Sequence, residues 1–108
     1  MNSPQSRFLL ELDKLRRDVN RQILTPRIEK LTIDQVRPVV AAIAMARADY
    51  IETLLHLGEK GQHPPSEAEI AELKNKRECY DELVAASQAL ETIIQRDYID
   101  VVPDKRGH

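Results

Sequence analysis

Two arginines, Arg47 and Arg77, are the side chains of this sequence best placed to do chemistry, because each interrupts an otherwise apolar helical line. A guanidinium donates in a planar fork that matches a carboxylate or a phosphate, so two of them facing inward at one level would grip an anion. Asp49, Glu78 and Asp81 stand within a turn of them in sequence, and ion pairing with these acids is the favoured reading. Glu52 and His56, four residues apart, could share a helix face and hold a metal with Glu69 or His63. Zinc sites carry three or four ligands at recognisable spacings, and neither HExxH nor paired CxxC occurs, so no metal is assigned. Cys79 borders an apolar arc with no histidine expected near it, and reads as a small buried residue rather than a nucleophile. The glycines stand apart at 58, 61 and 107, which excludes the common phosphate-cradling loops, and there is no Gly-x-Ser-x-Gly elbow. No catalytic residue and no cofactor is assigned, and the expectation is a protein that is not an enzyme.

Charge supplies one more candidate. Residues 1–50 hold nine Lys or Arg against six acids, and residues 51–108 hold seven against twelve. Lys14, Arg16, Arg17, Arg21, Arg27 and Lys30 could form a basic face for an anionic partner such as nucleic acid. Glu11, Asp13, Asp18 and Glu29 interrupt that run, so the favoured reading packs a basic first helix beside an acidic third one. A net charge of -2 and a pI near 5.9 give no global reason to expect nucleic acid or an acidic membrane.

The elements that must position these residues are helices. Ser66 to Tyr98 contains neither glycine nor proline and opens on Ser66-Glu67-Ala68-Glu69, a capping box, so a long third helix is expected over about 66–99. Ile70, Leu73, Tyr80, Val84, Ile94 and Tyr98 fit a seven-residue template, with Arg77, Ser87 and Glu91 as exceptions. Leu83 and Leu90 form a second seam, and Cys79, Ala86 and Ile93 widen the arc beyond what a two-stranded coiled coil needs. Such a helix has two or more neighbours.

The first helix is expected over about 4–24, from the Ser3-Pro4 cap, with Phe8, Leu9, Leu12, Leu15, Val19 and Ile23 on one face. A link follows over 25–33. The second helix is expected over about 36–57, with Val36, Val40, Ile43, Tyr50, Leu54 and Leu57 on one face and an alanine-rich run that invites close packing. Its start is contested: Thr32 to Gln35 matches a capping box, yet a helix beginning there would place Pro38 past its first turn. The loop GEKGQHPP at 58–65 turns the chain back, with Gly58 as helix terminator, into an antiparallel hairpin that sets Tyr50 beside Leu73 and Leu54 beside Ile70. Leu90 to Tyr98 then extends past the second helix and needs cover from residues 23–33 or from another chain, which predicts a homodimer with Leu83, Leu90, Ile93, Ile94 and Tyr98 at its interface. Residues 100–108 read as a frayed tail.

The whole is an all-α, antiparallel helical bundle of three principal helices, a single domain over residues 1–108. One cysteine, no membrane-spanning run and no export signal point to a reducing, cytoplasmic setting. The function that fits is a non-catalytic protein-protein interaction or assembly module, adaptor or chaperone-like, that takes a helical segment of another protein. A nucleic-acid regulator using the basic helix, or an anion-binding bundle using Arg47 and Arg77, is the alternative.

Overall fold

The structure, a computed structural model, describes residues 3–59, 61 and 63–103. Lys60 and Gln62 of the expected loop, and residues 104–108 of the expected tail, lie outside the described residues. The chain is mostly helical: α1 spans Pro4–Leu24, β1 Leu31–Thr32, α2 Ile33–Glu59, α3 Glu67–Gln95 and β2 Val101–Val102. It divides into two compact units, one of Met1–Gln35 with Leu90–His108 and one of Val36–Ala89.

The helix starts follow from local hydrogen bonds. At α1 the Ser3 hydroxyl accepts from the Ser6 N–H at 3.1 Å, with Pro4 at the first position, where its missing N–H removes nothing. At α2 the Thr32 cap is reciprocal: the Gln35 N–H donates to Thr32 Oγ1 at 3.2 Å, and the Thr32 N–H donates to Gln35 Oε1 at 2.9 Å. This box starts the helix at Ile33, ahead of the expected 36, and carries it through Pro38. Proline there removes one backbone bond, and the alanine-rich stretch beyond it has the propensity to continue. At α3 the Ser66 box closes in the same way, with bonds of 2.8 and 3.1 Å to and from Glu69.

The helix ends differ from expectation. Helix α2 runs through Gly58 to Glu59, and the left-handed backbone is taken by Gly61, at φ 43°. Helix α3 stops at Gln95, because Asp97 adopts φ 61° and the chain closes a Schellman motif. Its two bonds run from the Tyr98 N–H to the Ile93 carbonyl at 2.9 Å and from the Asp97 N–H to the Ile94 carbonyl at 3.1 Å.

That turn directs Tyr98 and Ile99 into the first unit, where they are 8% and 2% exposed and form the whole buried core among the described residues. The segment after them is ordered rather than frayed as far as Val102. Leu31 pairs with Val101 and Thr32 with Val102 in a two-stranded parallel ladder, and the Leu31 N–H donates to the Asp100 carbonyl at 2.9 Å. In the second unit α2 and α3 pack against each other. Tyr50 stacks on Tyr80 with ring centroids 6.3 Å apart, two turns along α3 from Leu73, and Lys76 Nζ lies 3.5 Å from Asp49 Oδ2. No residue of this helix pair is fully buried among those described. No helix among the described residues is long and apolar enough to cross a membrane.

Candidate interaction surface

Helix α1 is joined to its own unit by its polar side. Arg21 Nη1 donates to the Asp97 carbonyl at 2.6 Å and lies 3.3 Å from Asp97 Oδ1, while Nη2 donates to Asp100 Oδ1 at 2.6 Å. The hydrogen bond to Asp100 above all, then the charges of Asp100 and Asp97, raise the Arg21 pKa above its ordinary value against the opposing effect of burial. The guanidinium thus clamps the turn that ends α3 to the last turn of α1, where a cation also suits the helix dipole. One turn toward the N-terminus on the same side, Leu10, Asp13, Lys14 and Arg17 line a cavity of about 440 Å³ with Arg96 and Tyr98.

The opposite side of α1 carries the apolar stripe, and it is open. Phe8 is 64% and Leu15 56% exposed, Val19 and Ile23 are exposed as well, and only Leu12 is half-buried. At 3.6 residues per turn these side chains lie about half a turn around the helix from Arg17 and Arg21. An amphipathic helix ordinarily buries its apolar stripe and shows water its charges. This one leaves both largely in water, and of its charges only Arg21 is half-buried, toward its own unit.

Helix α2 has a second open stripe. Its line toward α3 is half-buried through Ile43, Ala46, Tyr50, Thr53 and Leu57, but Val40, Ile51 and Leu55 are exposed around the helix from that line, with Ala44 and Ala48 between them. Helix α3 offers no equivalent. Leu83, Leu90 and Ile93 of the expected interface are half-buried, Ile94 is at the margin of exposure, and Tyr98 is buried by its own chain. Arg21 holds the turn that follows α3, and the Leu31–Thr32 strand pairs with the Val101–Val102 segment beyond that turn.

The other candidates are dispersed. Arg47 donates from Nε and Nη2 to the Tyr80 hydroxyl at 3.3 and 3.2 Å, and its guanidinium carbon is 5.4 Å from that ring's centroid. Arg77 lies 3.9 Å from Asp81, its neighbour one turn on. Of the expected basic face, Lys14 and Arg17 line the Tyr98 cavity, Arg16 pairs with Asp13 at 3.2 Å, and Arg21 is the clamp. Arg27 and Lys30 border a separate depression with Glu29 and Gln35. Cys79 is exposed rather than buried, lining a hollow of about 350 Å³ with Asp49, Glu72 and Lys76. His56 and Glu52 are exposed, and no group of three metal-ligating side chains converges among the described residues.

Sequence reasoning missed Arg96 as a companion of Lys14 and Arg17, and it missed the clamp. The Arg21 contacts span 76 and 79 residues of sequence, and no local pattern announces them. No family profile, curated protein or solved structure matches the chain.

Proposed function

We propose that this chain is a non-catalytic, cytoplasmic protein-interaction module, and that the apolar stripe of α1 is the surface through which it assembles with another helix. The open stripe from Phe8 to Ile23 is the observation that supports this. A contiguous apolar face of this size on a helix held by its polar side gains stability only when something covers it. On this reading the covered stripe would be one seam of an antiparallel helical bundle. Leu15→Glu tests the reading. The variant is expected to keep its helical circular dichroism and to lose association, whether with copies of itself or with another protein that co-purifies. Association unchanged in Leu15→Glu overturns the proposal.

A second reading has one observation in its favour. Lys14, Arg17 and Arg96 border a single cavity with one acid, Asp13, which pairs with Arg16. Anisotropy with generic single-stranded RNA tests it: binding should weaken steeply between low and moderate salt and fall further in Arg17→Glu. Binding absent at low salt removes this reading.

A further inference from the structure

The α1 stripe and the α2 stripe match in length and in the spacing of their large and small residues. From Phe8 to Ile23 and from Val40 to Leu55 each spans sixteen residues, with ends about 22 Å apart along the helix. Laid antiparallel with Phe8 beside Leu55, the two put Leu15 beside Ala48 and Ile23 beside Val40. Large side chains at the middle of one stripe meet alanines at the middle of the other, the complementarity that lets ridges of one helix settle into grooves of its neighbour.

Charge selects the direction. Along α1, Glu11 and Asp18 flank the stripe on one edge and Arg16 on the other; along α2, Arg47 flanks it on one edge and Glu52 and Glu59 on the other. Antiparallel packing puts the Asp18 edge against the Arg47 edge and the Arg16 edge against Glu52. Parallel packing would bring Glu11 and Asp18 to the side of Glu52 and Glu59, and like charges disfavour it.

We infer that the occupant of the α1 stripe is a second copy of this chain, α1 of each copy lying antiparallel on the Val40–Leu55 stripe of the other. In the proposed dimer the exchange is mutual, a two-fold axis relates the copies and each dimer contains the seam twice. The inference rests on the interaction reading above and gives it a partner.

The test uses full-length chains carrying Cys79→Ser, so that introduced thiols are the only ones. One preparation carries Phe8→Cys and a second, with a larger affinity tag, carries Leu55→Cys; both positions are more than half exposed, 64% and 61%, so the substitutions leave packing within the chain intact. After mixing and exchange, a short bismaleimide should join untagged to tagged chains, and light scattering on the unsubstituted protein should give twice the 12.4 kDa of one chain. The pair Phe8→Cys with Val40→Cys reports the parallel alternative, and its yield should be at least about tenfold lower, since antiparallel packing puts those ends some 22 Å apart. A monomeric wild type overturns the inference, as does a dimer in which Phe8→Cys and Leu55→Cys fail to join. So does a chain carrying both substitutions that cross-links only to itself, which would mean that the stripe closes within one molecule. If wild type is monomeric while Leu15→Glu still loses a different protein, the occupant is wrong and the interaction reading stands.

Discussion

The closure around Tyr98 and the helix pair of Val36–Ala89 hold their chain segments by different means. The closure has little apolar area, two buried side chains, yet it is fixed by directional bonds: the Schellman pair, the Arg21 clamp and a two-residue ladder. The helix pair has long apolar lines, with Arg47 to Tyr80 and Lys76 to Asp49 as directional contacts between its helices, and none of its described residues is fully buried. Hydrogen bonds and ion pairs in partial contact with water add modestly to stability but define geometry closely, whereas stability itself comes mainly from apolar burial. The first region is therefore specified more tightly than it is stabilised, and the second is built to be stabilised but is incomplete. In both regions apolar surface remains outward, on α1 and on α2, and that common excess is why assembly is the reading proposed here.

The largest expected effect falls on the helix pair. Ala85→Pro, in the middle of α3, deletes a backbone bond and clashes with the preceding turn, at a cost of about 3 kcal/mol or more. A region held by continuous helical lines should lose most of its helical circular dichroism. A fully helical Ala85→Pro protein would refute α3 as one uninterrupted helix and, with it, the contrast drawn above.

Next in size is the closure's own core. Ile99, at 2% exposed, is its most buried side chain, and Ile99→Ala should cost about 2–4 kcal/mol, read from the shift in denaturant midpoint at unchanged slope. Leu73→Ala on the half-buried line of α3 should cost less. If the two are equal, the helix pair has a core as good as that of the closure, and the distinction between the regions fails. Because its pKa is raised, Arg21 adds stability that is complete below the ordinary arginine range and is lost only as pH rises through the raised value. Melting curves across neutral pH should therefore carry no signature of the Arg21 titration.

These regions also differ in how far the sequence made them legible. The starts of α1 and α3 could be read because caps are local: Ser3 and Ser66 each announce a bond made within three residues, whereas the equally local Thr32 box was set against Pro38 and the start of α2 was placed too late. The stop of α3 could not, since Asp97 is neither glycine nor proline and its left-handed backbone follows from the turn it closes. The β1–β2 ladder was hidden for another reason. Val101 and Val102 favour extended structure, but their partner lies about seventy residues earlier in a link with no strand pattern of its own. Apolar periodicity found the stripe on α1, but on α2 it joined Val40 and Leu54, which are exposed, to the half-buried Ile43, Tyr50 and Leu57 and did not mark Ile51 and Leu55. Nor could it say which side of α1 would face the chain's own interior, because that depends on Arg21 meeting Asp97 and Asp100.

The smallest predicted effect is the most informative about the closure, because its sign is at issue. Asp97 holds φ 61°, a conformation that costs most side chains roughly 1–2 kcal/mol and glycine almost nothing. Asp97→Gly removes that cost and removes the carboxylate 3.3 Å from Arg21, but it keeps the shorter bond, 2.6 Å, which Arg21 makes to the backbone carbonyl at that position. The Asp97 side chain is 72% exposed, so its ion pair is worth tenths of a kcal/mol at most, while a glycine also loses more freedom on folding. The balance should leave Asp97→Gly as stable as the parent or more stable by about 0.5 kcal/mol, and Asp97→Val, branched at Cβ in the same backbone, should lose about 1–2 kcal/mol. Thermal melts of the three proteins decide it. Asp97→Gly and Asp97→Val destabilised to the same extent would mean that the closure is held by the side-chain charge that both remove rather than by the geometry of its backbone turn, reversing what sets it apart from the helix pair.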